Sequence, residues 1–168
     1  MAPIAIAASV ASAVVAASAS MAQAKAAKQT GEYNKKIHDY RADLSEQDAI
    51  LIERQKDQDI KNFKNQFEKL QSRTTIAYLK SGVVLDKGTP MDVLRNNAEQ
   101  ATFEEKTIAY NAELGKRNAN ESANLERMQG DIALLTGQTQ AFAAKTQAVS
   151  SLLGGAASSY GAYNKYYG

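Results

Sequence analysis

Large apolar residues recur along two long stretches of the sequence at spacings of three, four and seven, the period of one face of an α-helix. A polar run from Glu53 to Gln66 interrupts the first row. That run is most simply a solvent-exposed helix face, and the alternative is the lining of a water-filled channel in an assembly. We expect both rows to pack helix on helix. The first row contains Tyr33, Ile37, Tyr40, Leu44, Leu51, Phe63, Phe67 and Leu70, and the second contains Phe103, Tyr110, Leu114, Leu125, Met128, Ile132, Leu135 and Phe142.

A row of mostly small residues lies beside the second apolar row and permits the close approach of another helix. The sequence leaves open whether the two helices pair with each other or with neighbouring chains, since both arrangements bury the same rows. The members of the small-residue row are Leu94, Ala98, Ala101, Ile108, Ala112, Gly115 and Ala119.

Residues 81–89 separate the two helical stretches and predict a turn. Gly82 can adopt the left-handed conformation that ends a helix. At the next helix start, the Thr89 hydroxyl can cap backbone N–H groups, Pro90 suits the first helical position, and Asp92 favours the positive end of the helix dipole. The predicted turn and cap residues are therefore Gly82, Gly88, Thr89, Pro90 and Asp92.

These signals together predict an all-α fold, a long antiparallel helical hairpin of coiled-coil type. Helix 1 is expected over residues 25–80 and helix 2 over residues 90–150, flanked by apolar terminal segments at 1–24 and 151–168. The hairpin brings both terminal segments to the same end. Large apolar side chains are too sparse between Glu53 and Gln66 to fill a globular interior, so we expect an oligomer.

The terminal segments combine small residues with scattered larger apolar ones. Residues 1–24 carry no charge, and they suit a signal peptide, a membrane-inserting segment or a helix-packing segment. The tyrosine-rich segment 151–168 suits a membrane interface or a tail that docks on a protein neighbour. The predicted membrane or partner contacts are Ile4, Ile6, Val10, Val14, Val15, Leu152, Leu153, Tyr160, Tyr163, Tyr166 and Tyr167.

The sequence offers little chemistry. The 168-residue chain has a net charge of +2, which does not argue for nucleic-acid binding, and it contains no cysteine. His38 is the only histidine and cannot supply a transition-metal ligand set, so we expect it at the surface. Glu104 and Glu105 point about 100° apart on a helix and do not converge on a substrate. We expect no enzyme activity, no cofactor and no metal site.

One block, from Ser81 to Glu113, runs SGVVLDKGTPMDVLRNNAEQATFEEKTIAYNAE. It resembles the internal virion proteins, or ejection proteins, of short-tailed phages (podoviruses). Members of that family look like a long helix rich in Ala, Gln and Lys, then an SGV…GSPxDVL turn, then an acidic stretch leading to T-I-x-Y-N. The matching elements here are Ser81 to Val83, Gly88 to Leu94 and Thr107 to Asn111, with Thr89 where serine is common.

The resemblance implies a bacteriophage protein packed in the capsid core at the portal vertex, released ahead of the genome and reassembled in the host cell envelope. The chain resembles the small, pore-forming member of a set of internal virion proteins. The implied partners are further copies of the chain, the portal, other internal core proteins, the host outer membrane after release, and genome DNA nearby without specific recognition. Two alternatives remain: a virion assembly or portal connector protein that never enters a membrane, and a secreted coiled-coil protein with residues 1–20 as signal peptide.

Overall fold

The computed structural model describes residues 2–82, 84–85 and 88–167, and the side chains of residues 2–10, 162, 166 and 167 lie outside that description. The described residues form two α-helices of 79 residues each, α1 (Ala2–Lys80) and α2 (Thr89–Tyr167). The two helices pack against each other, and the described residues contain no strand. The predicted all-α helical hairpin is therefore confirmed.

Both helices are longer than the sequence predicted. We expected helix boundaries near residues 25 and 150, but α1 continues back to Ala2 and α2 continues to Tyr167. Alanine has the highest helix propensity, so the alanine-rich residues 2–24 extend α1 instead of separating from it. Gly154 and Gly161 each cost about 1 kcal/mol relative to alanine, and α2 nevertheless runs through both.

Contacts divide the chain into two compact units, to which each helix contributes one segment. Unit 1 contains Met1–Arg41 and Leu125–Gly168, and unit 2 is Ala42–Asn124. Unit 1 therefore holds both terminal segments together, and unit 2 holds the turn.

The turn uses two glycines with positive φ. Gly82 has φ 74° and its N–H donates to the Leu79 carbonyl at 3.1 Å, which closes the end of α1. Gly88 has φ 65°, and its carbonyl accepts from the Asp92 N–H at 3.2 Å. α2 thus begins at Thr89, one residue before the predicted first helical position at Pro90. Val83, part of the predicted turn, lies outside the described residues.

Alanine and glycine form the interior of each unit, which we call the inner seam. Among the described residues, no large side chain is fully buried. The closest approach is in unit 1, where a Cβ built on Gly137 would lie 2.7 Å from the Ala27 carbonyl oxygen and 2.8 Å from the Gly31 Cα. The two backbones are therefore almost in contact. The buried apolar residues of the inner seam are Ala17, Ala24, Ala42, Ala49, Ala101, Ala123, Ala141, Ala144 and Ala148.

Candidate interaction surfaces

The large apolar residues of both helices lie mainly on the faces opposite the inner seam. Leu44 follows buried Ala42 by two positions, and Ile132 follows buried Gly130 by two. Two positions on a helix correspond to roughly 160° of separation around its axis. Each unit therefore presents exposed apolar side chains on the outer face of each helix. The exposed members are Tyr33, Tyr40, Leu44, Leu51, Leu70, Phe103, Tyr110, Leu114, Leu125, Met128, Ile132, Leu135 and Phe142.

The apolar rows that we expected to pack helix on helix do not, for the most part, form the contact between α1 and α2. Ile37, Phe63 and Phe67 are half-buried, and the Phe63 and Phe67 rings stack with their centroids 6.4 Å apart. Over the described residues, the exposed members do not form the main contact between α1 and α2, because the small residues bring the two helices together along another face. Packing of the outer rows against another chain stays a prediction.

The predicted row of small residues, by contrast, borders the inner seam. Ala101 is buried, and a Cβ built on Gly115 would lie 3.5 Å from the Ile52 Cδ1 atom of α1. Ala98 is exposed. The half-buried members of the row are Leu94, Ile108, Ala112, Gly115 and Ala119.

Polar side chains link the two helices in unit 1. Lys35 Nζ donates to Asp131 Oδ1 at 2.6 Å, and this hydrogen bond is the main cause of the raised pKa of Lys35. His38 Nδ1 lies 2.7 Å from Glu126 Oε2. His38 is half-buried between the two helices, and a Cβ built on Gly130 would lie 3.1 Å from the His38 Cβ. An alanine and glycine seam allows sliding, so such polar pairs help to fix the register of the helices.

Unit 2 has equivalent links. Glu53 accepts from Lys56 on its own helix and from Lys116 on α2, the latter at 3.2 Å. The hydrogen bond from Lys56, followed by that from Lys116, lowers the pKa of Glu53, and the bond to Glu53 raises the pKa of Lys56. Glu105 Oε2 on α2 pairs with Lys64 Nζ on α1 at 3.2 Å.

The terminal segments expose several of the predicted contact residues. Val14, Val15, Leu152, Leu153, Tyr160 and Tyr163 are exposed, whereas the side chains of Ile4, Ile6, Val10, Tyr166 and Tyr167 lie outside the described residues. Over the described part of the chain, no helical stretch is both long and apolar enough to cross a bilayer. Within the same residues, no three His, Asp or Glu side chains are grouped as a metal site.

The fold and its surfaces define a class: an all-α helical hairpin with a small-residue interior and apolar outer faces. Comparison with protein families, with curated proteins and with solved structures finds no match to this chain. Its function is therefore argued from the exposed faces and from the turn block at Ser81 to Glu113.

Proposed function

We propose that the chain is a phage internal virion protein of the ejection type. It sits in the capsid core near the portal and is released to form or line a channel across the host envelope for genome delivery. The observation that carries this proposal is the placement of large apolar side chains on the outer face of each helix, where they are available to other chains. The resemblance of residues 81–113 to ejection proteins supplies the biological setting.

The surface area of the chain supports self-association. The accessible surface is 12054 Å², whereas a globular protein of 18.1 kDa exposes about 8,100 Å². The excess is roughly 4,000 Å², and a stable interface buries about 800 Å² on each partner. The chain therefore has enough surplus surface for contacts with several neighbours.

The terminal segments supply the proposed contact with lipid. Both belong to unit 1, where α1 contributes exposed Val14 and Val15 and α2 contributes Leu152 and Leu153. Small residues allow helices to approach closely in lipid, so several copies together can bury a segment that is weakly apolar by itself. In this mechanism neighbouring subunits or partner proteins cover the segments inside the capsid, and release exposes them.

Purified protein is expected to release a trapped dye from lipid vesicles, and Val14→Asp with Val15→Asp is expected to abolish that release. Each charge placed in the hydrocarbon region costs about 2.5 kcal/mol or more, while helix content by circular dichroism stays unchanged because both positions are exposed.

The matched control for the leakage experiment is Ile76→Asp with Leu79→Asp. This pair in unit 2 is 50% and 59% exposed, close to the 53% and 66% of Val14 and Val15, and it lies outside the two apolar rows. The control is expected to retain leakage. Equal leakage from the wild type and the Val14 and Val15 variant contradicts the membrane part of the proposal.

A portal connector that never enters a membrane is the second candidate. Exposed Tyr160 and Tyr163, with part-apolar and part-polar rings, suit docking on a protein as well as on a lipid interface. Fractionation of infected cells soon after adsorption separates the two functions. The ejection protein is expected in the envelope fraction, whereas a connector stays with the empty particle.

A further inference from the structure

The outer face of α2 in unit 1 repeats with a strict heptad period. From Leu125 to Leu153 its positions alternate in steps of three and four, which is 3.5 residues per turn. We call this face the α2 outer stripe. Its members are Leu125, Met128, Ile132, Leu135, Thr139, Phe142, Thr146, Val149 and Leu153, and all nine are exposed.

The inner seam of the same helix follows the same heptad period. Ala123, Gly130, Gly137 and Ala144 are each seven residues apart, as are Ala141 and Ala148, so both faces of α2 repeat at 3.5 residues per turn. The heptad period of the outer stripe favours a left-handed coiled coil. Since α1 of the same chain occupies the opposite face, that coiled coil needs a helix from another chain.

The two threonines of the stripe are compatible with burial. The Thr139 hydroxyl donates to the Leu135 carbonyl at 2.9 Å, and the Thr146 hydroxyl donates to the Phe142 carbonyl at 3.1 Å. Burying a hydroxyl costs little when it already has a hydrogen-bond acceptor. The stripe therefore offers a continuous surface suited to a coiled-coil contact.

We propose that α2 of a second copy of this chain packs antiparallel on the α2 outer stripe. In this register Ile132 meets Phe142 of the second copy, Leu125 meets Val149, and the smaller Thr139 and Thr146 meet Leu135 and Met128. Heptad positions of the g type face each other across an antiparallel pair, and here they place Asp131 beside Lys145 of the second copy, twice by symmetry. Asp131 already accepts from Lys35 of its own chain through Oδ1. Its side chain is 70% exposed, so the carboxylate can also face the Lys145 cation, which favours this orientation.

The outer face of α1 fits the stripe less well. Its apolar row begins at Tyr33, and on the N-terminal side of that residue the same face carries Thr30 and Gln23. Thr30 and Gln23 cannot cover Phe142 and Val149 of a neighbouring α2 with large apolar side chains.

The inference rests on the self-association in the proposed function and identifies the surface that provides it. Analytical sedimentation of three proteins tests this interface. They are the wild type, an α2 variant with Ile132→Asp and Leu135→Asp, and an α1 variant with Tyr33→Asp and Tyr40→Asp. The wild type and the α1 variant are expected to associate equally. The α2 variant is expected to dissociate at least about 30-fold more readily, with helix content unchanged because both substituted residues are exposed.

Equal association of the wild type and the α2 variant overturns this interface without affecting the vesicle result on which the proposed function depends. A wild type that stays monomeric at all concentrations overturns both the interface and the proposed self-association. Whether or not the protein releases dye from vesicles, the sedimentation comparison still tests the interface.

Crosslinking tests the orientation, and the absence of native cysteine makes introduced thiols unambiguous. With a short bismaleimide, the combined Ile132→Cys and Phe142→Cys variant is expected to form covalent dimers, whereas neither single variant does. In the antiparallel register each single site is ten residues, about 15 Å, out of alignment with itself. Dimers from Ile132→Cys alone indicate a parallel pair, and dimers from mixed Tyr40→Cys and Met128→Cys chains indicate an α1 partner. Either result overturns the proposal.

Discussion

Gly137→Leu is expected to lower the free energy of unfolding by about 3 kcal/mol, the upper range for overpacking a close contact. The Cβ alone would lie 2.7 Å from the Ala27 carbonyl oxygen and 2.8 Å from the Gly31 Cα, so the obstruction is backbone and not a movable side chain. The helices of unit 1 must separate to accept it. Thermal unfolding followed by circular dichroism is expected to show a midpoint lower by roughly 6 to 12 °C.

Gly154→Leu is the matched control for this experiment. Gly154 also lies within α2, but nothing approaches within 4 Å of a Cβ built there. The control is expected to be neutral or more stable by up to about 1 kcal/mol, because glycine is a poor helix former. If both leucine variants unfold at the wild-type temperature, the close approach of Gly31 and Gly137 is contradicted.

Ala42→Asp is expected to be strongly destabilising in unit 2, by about 3 kcal/mol at pH 7. Ala42 is 0% exposed and belongs to the inner seam, so the introduced carboxylate loses its hydration without gaining a hydrogen-bond or ion-pair partner. Urea unfolding measures the loss. Gln47→Asp, which places the same side chain on an exposed position five residues later, is expected to stay within about 0.5 kcal/mol of the wild type.

The loss of folding stability caused by Ala42→Asp is expected to depend on pH. Burial raises the pKa of the introduced carboxyl above its unfolded value, so the folded state binds the proton more tightly. The destabilisation is therefore smallest below the unfolded pKa, grows as the pH rises through the interval between the two pKa values, and is constant above the folded pKa. A pH-independent loss contradicts the buried position of Ala42.

The hairpin could be predicted from the sequence because the residues that end α1 and begin α2 are close together in the chain. Gly82 adopts the positive φ that its position at the end of the first helical pattern suggested, and Gly88, predicted only as part of the turn, also has a positive φ. The helix ends predicted at residues 25 and 150 are wrong because charge and composition change there, but the backbone stays helical through both positions. Pro90 and its neighbours marked the start of α2 to within one residue.

The sequence did not indicate which face of each helix forms the contact between α1 and α2. Hydrophobic periodicity identifies an apolar row but not the helix that covers it, and in this chain the stronger row of α2 is the outer one. A distinguishing signal was present: the small residues Ala123, Gly130, Gly137 and Ala144 recur every seven residues, two positions from the row.

The polar links across the inner seam were also missed. His38 and Glu126 are 88 positions apart in the sequence, and Lys35 and Asp131 are 96 apart. Such a pair can be predicted only when the register of the hairpin is known. The register in turn depends on glycine and alanine contacts that carry little hydrophobic signal.

Intrachain disulfide formation tests most directly the claim that small residues face inward and large apolar residues face outward. His38→Cys with Gly130→Cys places two thiols across the inner seam, where a Cβ on Gly130 would lie 3.1 Å from the His38 Cβ. Tyr40→Cys with Met128→Cys places two thiols at a matching level of the antiparallel pair, but on the two outer faces. Dilute oxidation and peptide mass mapping are expected to show an intrachain disulfide in the first variant and none in the second. An intrachain disulfide only between positions 40 and 128 contradicts the account.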